Sequence, residues 1–264
     1  MGKWRRFPLM LKDSIDFKSH LKAVSEEIEA VLRDILPLPS GNQKVVMEAS
    51  RYAALGGGKR LRPFLMVETA RMLGSLNKGV YIAGAALECM HVYSLVHDDL
   101  PCMDNDDFRR GKPTVHKKYS EALAVLTGDN LLTISFEILA DSKVHEDPNI
   151  RMTLISDLAK AGGAGGMIGG QIIDISKSSQ IRDEIFISQL QKLKTGALIE
   201  YAVTAGATMS NASESEKTAL KNYARDIGLA FQIKDDILDV EGDAEIIGKS
   251  VGKDDALGKV TFVS

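Results

Sequence analysis

Cysteine is almost absent: Cys89 and Cys102 are the 2 in 264 residues. That is too few for a disulfide framework, and the pair lacks the CxxC spacing of a metal knuckle, so a reducing compartment, the cytoplasm, is expected. Proline is scarce too, at 7 residues, which with 44% hydrophobic residues excludes a disordered chain. Charge of one sign is not in excess. With 33 basic against 36 acidic residues and a net charge of −3, nothing overall points to nucleic acid. No uninterrupted apolar run is long enough to span a bilayer, since the most apolar window, YIAGAALECMHVYSLV, is broken by Glu88 and His91. The opening MGKWRRFPLMLKDS is basic, but its apolar stretch is too short for a signal-peptide core. Arg6 also stands where a myristoylation motif needs Ser or Thr. Sustained strand-like alternation is missing throughout.

What is present is helical period. Phe17-Leu21-Val24-Ile28-Val31, Leu61-Leu65-Val67-Met72 and the block Ile185-Leu190-Leu193-Leu198 place apolar residues on one face of a 3.6-residue repeat. The expectation is one all-α domain over 1–264, a bundle of roughly ten helices around a central helix or cavity. Breakers separate the segments: LPLPSGN at 36–42, LGGGKR at 55–60, HEDPN at 145–149 and AGGAGGMIGG at 161–170. The last could be a linker, but Ile168, Ile172 and Ile175 carry an apolar stripe across it, which favours close helix packing. After Val240 the chain turns rich in Gly, Lys and Asp and reads as a mobile flap or tail.

Charge is concentrated locally. HDDLPCMDNDDFRRGKPT, residues 97–114, puts five aspartates between Asp98 and Asp107 and then reverses sign at Arg109 and Arg110. A solvated acidic run would explain the acids but not the reversal. On an unbroken helix Asp98 and Asp104 would point about 240° apart, and Pro101 supplies a break that can swing Asp104 back. A second cluster, FQIKDDILDV, sets Asp235 and Asp239 four apart on one helical face, about 6 Å along the axis. Either cluster could be a solvated helix end. Carboxylates in such apolar surroundings are costly unless a cation joins them, and oxygen-only donors without His or Cys spacing favour Mg²⁺ shared with a polyphosphate.

GGGKRLRP offers Lys59, Arg60 and Arg62 after a glycine turn. It is not a Walker A loop, because Ala53 occupies the outer glycine position and Arg60 replaces the Ser or Thr. His91 lies seven residues before Asp98, about 20° from it on a helix, and reads either as a core histidine or as a neighbour of Lys59 and Arg62.

GGGKRLRP, ECMHVYSLVHDDLPCMDNDDFRRGKPT, LTGDNLL, GGQIIDI, KTGALI and GLAFQIKDDILDV, in that order, resemble the motifs of the trans-isoprenyl diphosphate synthases, and among them the bacterial farnesyl type. The resemblance covers the chain from about Phe17 onward and implies an isoprenoid-synthase-like all-α fold around a deep cavity, usually as a homodimer. It implies a prenyltransferase that joins isopentenyl diphosphate to dimethylallyl and then geranyl diphosphate, giving (E,E)-farnesyl diphosphate. Asp98, Asp99 and Asp104 on one side, with Asp235 and Asp239 on the other, would bind Mg²⁺, three ions in all. Arg109, Lys194 and Lys249 would hold the allylic diphosphate, and Lys59, Arg62, His91 and Arg110 the isopentenyl diphosphate. Thr195, Gln232 and the Lys194 carbonyl would face the allylic cation. Lys259 is also carried over as a substrate-binding residue, under a lid that the family's further helices would form beyond Ser264. A geranylgeranyl synthase and a non-catalytic subunit of a heteromeric synthase are the alternatives; a terpene cyclase would not need Lys59, Arg62 and His91.

Tyr93, five residues and about 7.5 Å before Asp98, is a candidate floor for the growing chain. Ser94 lies more directly beneath Asp98, and Tyr93 reads equally as a core tyrosine; an aromatic at 93, together with the inserted pair Pro101-Cys102, is what the resemblance associates with a farnesyl product.

Overall fold

The computed structural model describes residues 16–175 and 184–241. Helices α1 (Phe17–Ile35), α2 (Lys44–Ala54), α3 (Leu61–Met72) and α4 (Lys78–Asp98) are followed by α5 (Val115–Lys118), α6 (Glu121–Ala140) and α7 (Pro148–Gly162). Then come α8 (Met167–Ile175), α9 (Glu184–Gln191), a π-helical turn (Lys192–Gly196), α10 (Ala197–Met209) and α11 (Glu214–Glu241).

Local chemistry sets the boundaries. Asp16, Asn77, Ser120 and Asp147 accept from the first free N–H groups of α1, α4, α6 and α7. Pro148 opens α7, where the missing donor costs nothing. The breakers at 36–42 and 55–60 fall between helices, whereas HEDPN runs into the first turn of α7 and the glycine-rich 161–170 spans the end of α7 and the first residues of α8.

α4 is the centre of the molecule. It is buried from Gly79 to Met90 with few gaps, which small residues such as Ala83, Gly84, Ala85 and Ala86 permit, and α1, α3, α6 and α10 pack against it. One continuous core runs from Val24, Ile28 and Leu32 through Leu87 and Met90 to Leu131, Leu158 and Leu198. Each of its large aliphatic side chains contributes about 1.5–3 kcal/mol through burial. α4 and α6 are long and apolar enough to cross a membrane, but most of the apolar window of α4 is buried in this core.

Three local features depart from the sequence reading. Phe108–Arg109 and Lys112–Pro113 form strands β1 and β2, an antiparallel pair around Arg110 and Gly111. Those two have φ of 53° and 73°, the left-handed pair that a tight hairpin demands. Two-residue strands are too short to show alternation. The second departure is the π turn between α9 and α10, where KLKTG reads as ordinary helix. The third is α8: Ile168, Ile172 and Ile175 are about half exposed, so the stripe does not face the core, and it is the glycine face that packs. The stretch after Glu241 lies outside the described residues.

Candidate active site

Asp98 is the last residue of α4. Beyond it the chain turns back on itself, and the N–H of Asp104 donates to the carbonyl of Asp98 at 2.8 Å while that of Asp106 donates to Asp99 at 3.2 Å. The break near Pro101 thus brings Asp104 to Asp98. Burial, then the negative charges of Asp104 and Asp99, push the Asp98 carboxyl up to about 6 against the pull of Lys194 and Arg109. Two acids crowded in this way fit a divalent cation. Among the described residues no three His, Cys, Asp or Glu side chains form a cage.

Asp99 has another partner. Arg109 donates to it from Nε at 2.7 Å and from Nη2 at 2.5 Å, and Asp106 lies 3.7 Å from Nη2. In this structure the Asp99 carboxylate is engaged by Arg109 and aims its guanidinium. The hairpin serves the same end, since Arg109 sits on β1 and Arg110 in its turn.

The opposite wall comes from α8 and the π turn. Gly170 lies so close to the Lys194 backbone that a Cβ there would overlap it. Lys194 pairs with Asp174 at 2.5 Å, and Gln171 donates its Nε2 to Asp98 while its Oε1 is buried without a partner. The sequence reading singles out neither Gln171 nor Asp174; GGQIIDI enters it as one motif of the resemblance, with no role for either side chain. α11 packs on the π turn, with Gly228 against Gly196, and carries Gln232, which is buried, one turn further along. Asp235 and Asp239 fall in the last two turns of α11, and their side chains lie outside the described set; so do Lys249 and Lys259.

A second cationic group lies further up α4. Gly57 and Gly58 take φ of 89° and 129°, and Gly58 faces the Arg110 guanidinium so closely that any side chain there would displace it. Arg110 donates to the carbonyl of Gly57. Lys59 is exposed, and Arg62 Nη1 lies 3.3 Å from His91 Nε2. An arginine only donates, so Nε2 accepts and the histidine proton sits on Nδ1. Burial, then Arg62 and the other three arginines, hold His91 well below its ordinary range, hence neutral. Tyr93 is buried, edge-on to His97 at 5.8 Å, and its hydroxyl is pushed up to about 12 by burial and the Asp98 charge. Ser94 bonds back to the His91 carbonyl at 2.8 Å. A cavity of about 610 Å³ is walled by Glu200, Tyr201, Thr204 and Arg225 among others, and none of Asp98, Asp104 or Arg109 lines it.

A helical shell with crowded carboxylates and fixed cations around the end of its central helix is suited to a divalent cation and an anionic ligand such as a diphosphate. Residues 43–264 match the polyprenyl synthetase family model, and the chain belongs to that family of prenyltransferases. It is 46% identical over 251 residues to farnesyl diphosphate synthase of Escherichia coli K12, covering 94% of this chain and 84% of that one. A putative chloroplastic geranylgeranyl pyrophosphate synthase 8 of Arabidopsis thaliana is 41% identical, with 94% and 70% covered. A solved geranyltransferase of Helicobacter pylori, complexed with magnesium and isoprenyl diphosphate, superposes with a TM-score of 0.82 at 34% identity, covering 93% and 82%.

Proposed function

We propose that the protein condenses isopentenyl diphosphate head-to-tail with dimethylallyl and then geranyl diphosphate to make (E,E)-farnesyl diphosphate. The observation that carries this reading is the row of cations along the last three turns of α4, ending at two crowded carboxylates: Arg62 at His91, Arg109 at Asp99 and Lys194 beside Asp98. Two diphosphates need two such groups.

Asp98 and Asp104, with Asp235 and Asp239 from α11, would hold Mg²⁺, three ions once diphosphate is present. Bound there, Mg²⁺ supplies fixed positive charge beside phosphate oxygens. Arg109, whose Nε and Nη2 are held by Asp99, has Nη1 left for the allylic diphosphate; Lys194 and Lys249 join it. These donors stabilise the charge that grows on the leaving group as the allylic C–O bond ionises. Thr195, Gln232 and the Lys194 carbonyl, which belongs to the π turn rather than to a regular α ladder, face the allylic cation. The double bond of isopentenyl diphosphate, held by Lys59, Arg62, Arg110 and the Nδ1–H of His91, attacks that cation. A C–C bond forms, and the departing diphosphate takes the proton then lost. Water must be kept out, because it would capture the cation. Tyr93 would limit chain length; its place on α4, five residues before Asp98, supports this.

The farnesyl product is supported by the higher identity to the farnesyl synthase. A homodimer is supported by α6, which is strongly apolar yet exposes Val125 and Leu126; sedimentation would show twice the 28.7 kDa chain mass. Free Cys89 and Cys102 support a cytoplasmic site of action. The test is incorporation of labelled isopentenyl diphosphate into acid-labile allylic product. Incorporation should require both Mg²⁺ and dimethylallyl or geranyl diphosphate, and an absence of incorporation with both present would refute the reading.

A further inference from the structure

Arg60 takes no part in the chemistry just described, yet it is among the most constrained residues in the molecule. Its backbone is left-handed at φ 50°, ψ 38°, a strained conformation for a side chain with a Cβ. The residue is only 2% exposed, so it cannot touch a substrate. Nη1 donates to Glu88 Oε1 at 2.6 Å, Nη2 donates to the carbonyl of Ala54 at 2.7 Å, and Glu29 on α1 lies 3.5 Å away. Its own carbonyl accepts from Phe64 at 2.9 Å and so starts α3. One guanidinium thus ties the end of α2, the start of α3, α1 and α4 together at the turn that carries Lys59 on one side and Arg62 on the other.

Glu88 is 1% exposed and one turn before His91 on α4. Its charge also acts on Arg62 and Arg110, where it opposes the effect of burial on both. Without it, three arginines would stand together at low dielectric with little to offset their repulsion.

We propose that the buried Arg60–Glu88 pair is a positioning device for isopentenyl diphosphate: it fixes the turn that aims Lys59 and Arg62, and it is the counter-charge that lets the cationic cradle hold its shape. The proposal rests on the assignment of Lys59, Arg62 and His91 to isopentenyl diphosphate. A buried ion pair is seldom more stabilising than an apolar pair of equal volume. Simple support of the fold would therefore survive replacement by two apolar residues, whereas positioning would not.

The experiment compares steady-state constants and thermal midpoints for wild type, the double variant Arg60→Met/Glu88→Met, and the variants Arg60→Lys and Arg62→Gln. Expected for the double variant is a folded protein whose midpoint falls by no more than the lost Ala54 hydrogen bond accounts for, a KM for isopentenyl diphosphate raised about tenfold or more, as small misplacements of binding groups produce, and an unchanged KM for geranyl diphosphate. Arg60→Lys, which keeps the charge but loses the fork, should fall between the two, and it carries the test if the double variant does not fold. Unchanged KM for isopentenyl diphosphate in the Arg60 variants, or an equal rise for both substrates, overturns the proposal while a selective effect of Arg62→Gln keeps the substrate assignment. If Arg62→Gln is itself without effect on isopentenyl diphosphate, the assignment falls and the proposal with it.

Discussion

Asp98 concentrates the conflict on which the site depends. Its carboxyl is held up to about 6 by burial and by neighbouring acids, so the folded chain keeps this proton more tightly than the unfolded chain does, whose value is near 3.8. Stability of the metal-free protein attributable to Asp98 is present below about pH 4 and is lost as pH rises to about 6, by about 3 kcal/mol as an order of magnitude. Asp98→Asn should remove that decline and nearly abolish turnover. Denaturant midpoints in chelator at pH 4, 5, 6 and 7 for both proteins check it; parallel profiles would show that Asp98 is not strained. At this scale the sequence was most legible. Two acids six apart point away from each other on an unbroken helix, a proline between them allows a returning turn, and the hydrogen bond from Asp104 to Asp98 is that turn. The bidentate capture of Asp99 by Arg109 was not legible, because it depends on a hairpin whose strands are two residues long.

Among the elements, α8 and the π turn show how glycine in GGQIIDI does its work. Gly170 lets α8 approach the backbone at Lys194, and that approach brings Gln171 to Asp98 and Asp174 to Lys194. Gly170→Ala should force α8 off the turn, destabilising the fold by about 1–3 kcal/mol as overpacking does. It should also lower kcat by about tenfold or more through misplaced Lys194. Circular dichroism melting and steady-state rates would show it; wild-type values for both would mean that α8 does not position Lys194. Period-3.6 patterning marks α1, α3 and the stretch from α9 into α10, because amphipathic burial leaves that trace. It could not reveal a π turn, which differs from α only in its hydrogen-bond ladder, nor the exposed isoleucines of α8, since a pattern of apolar residues does not say what covers them.

For the whole molecule, function follows from a central helix whose buried middle fixes the core and whose C-terminal turns carry charge. The core can be deduced from composition and pattern, while the pairing of distant motifs across α3, α4, α8 and α11 required the fold. The most direct measurement is chromatography of the dephosphorylated products made from isopentenyl and dimethylallyl diphosphates with Mg²⁺, by wild type and by Tyr93→Ala. Wild type should give (E,E)-farnesol as the main alcohol. Tyr93→Ala, at a stability cost of about 3–5 kcal/mol for a buried aromatic, should shift the product to geranylgeraniol or longer chains. A cyclic hydrocarbon, or no elongated alcohol at all, from the wild-type protein would contradict the account.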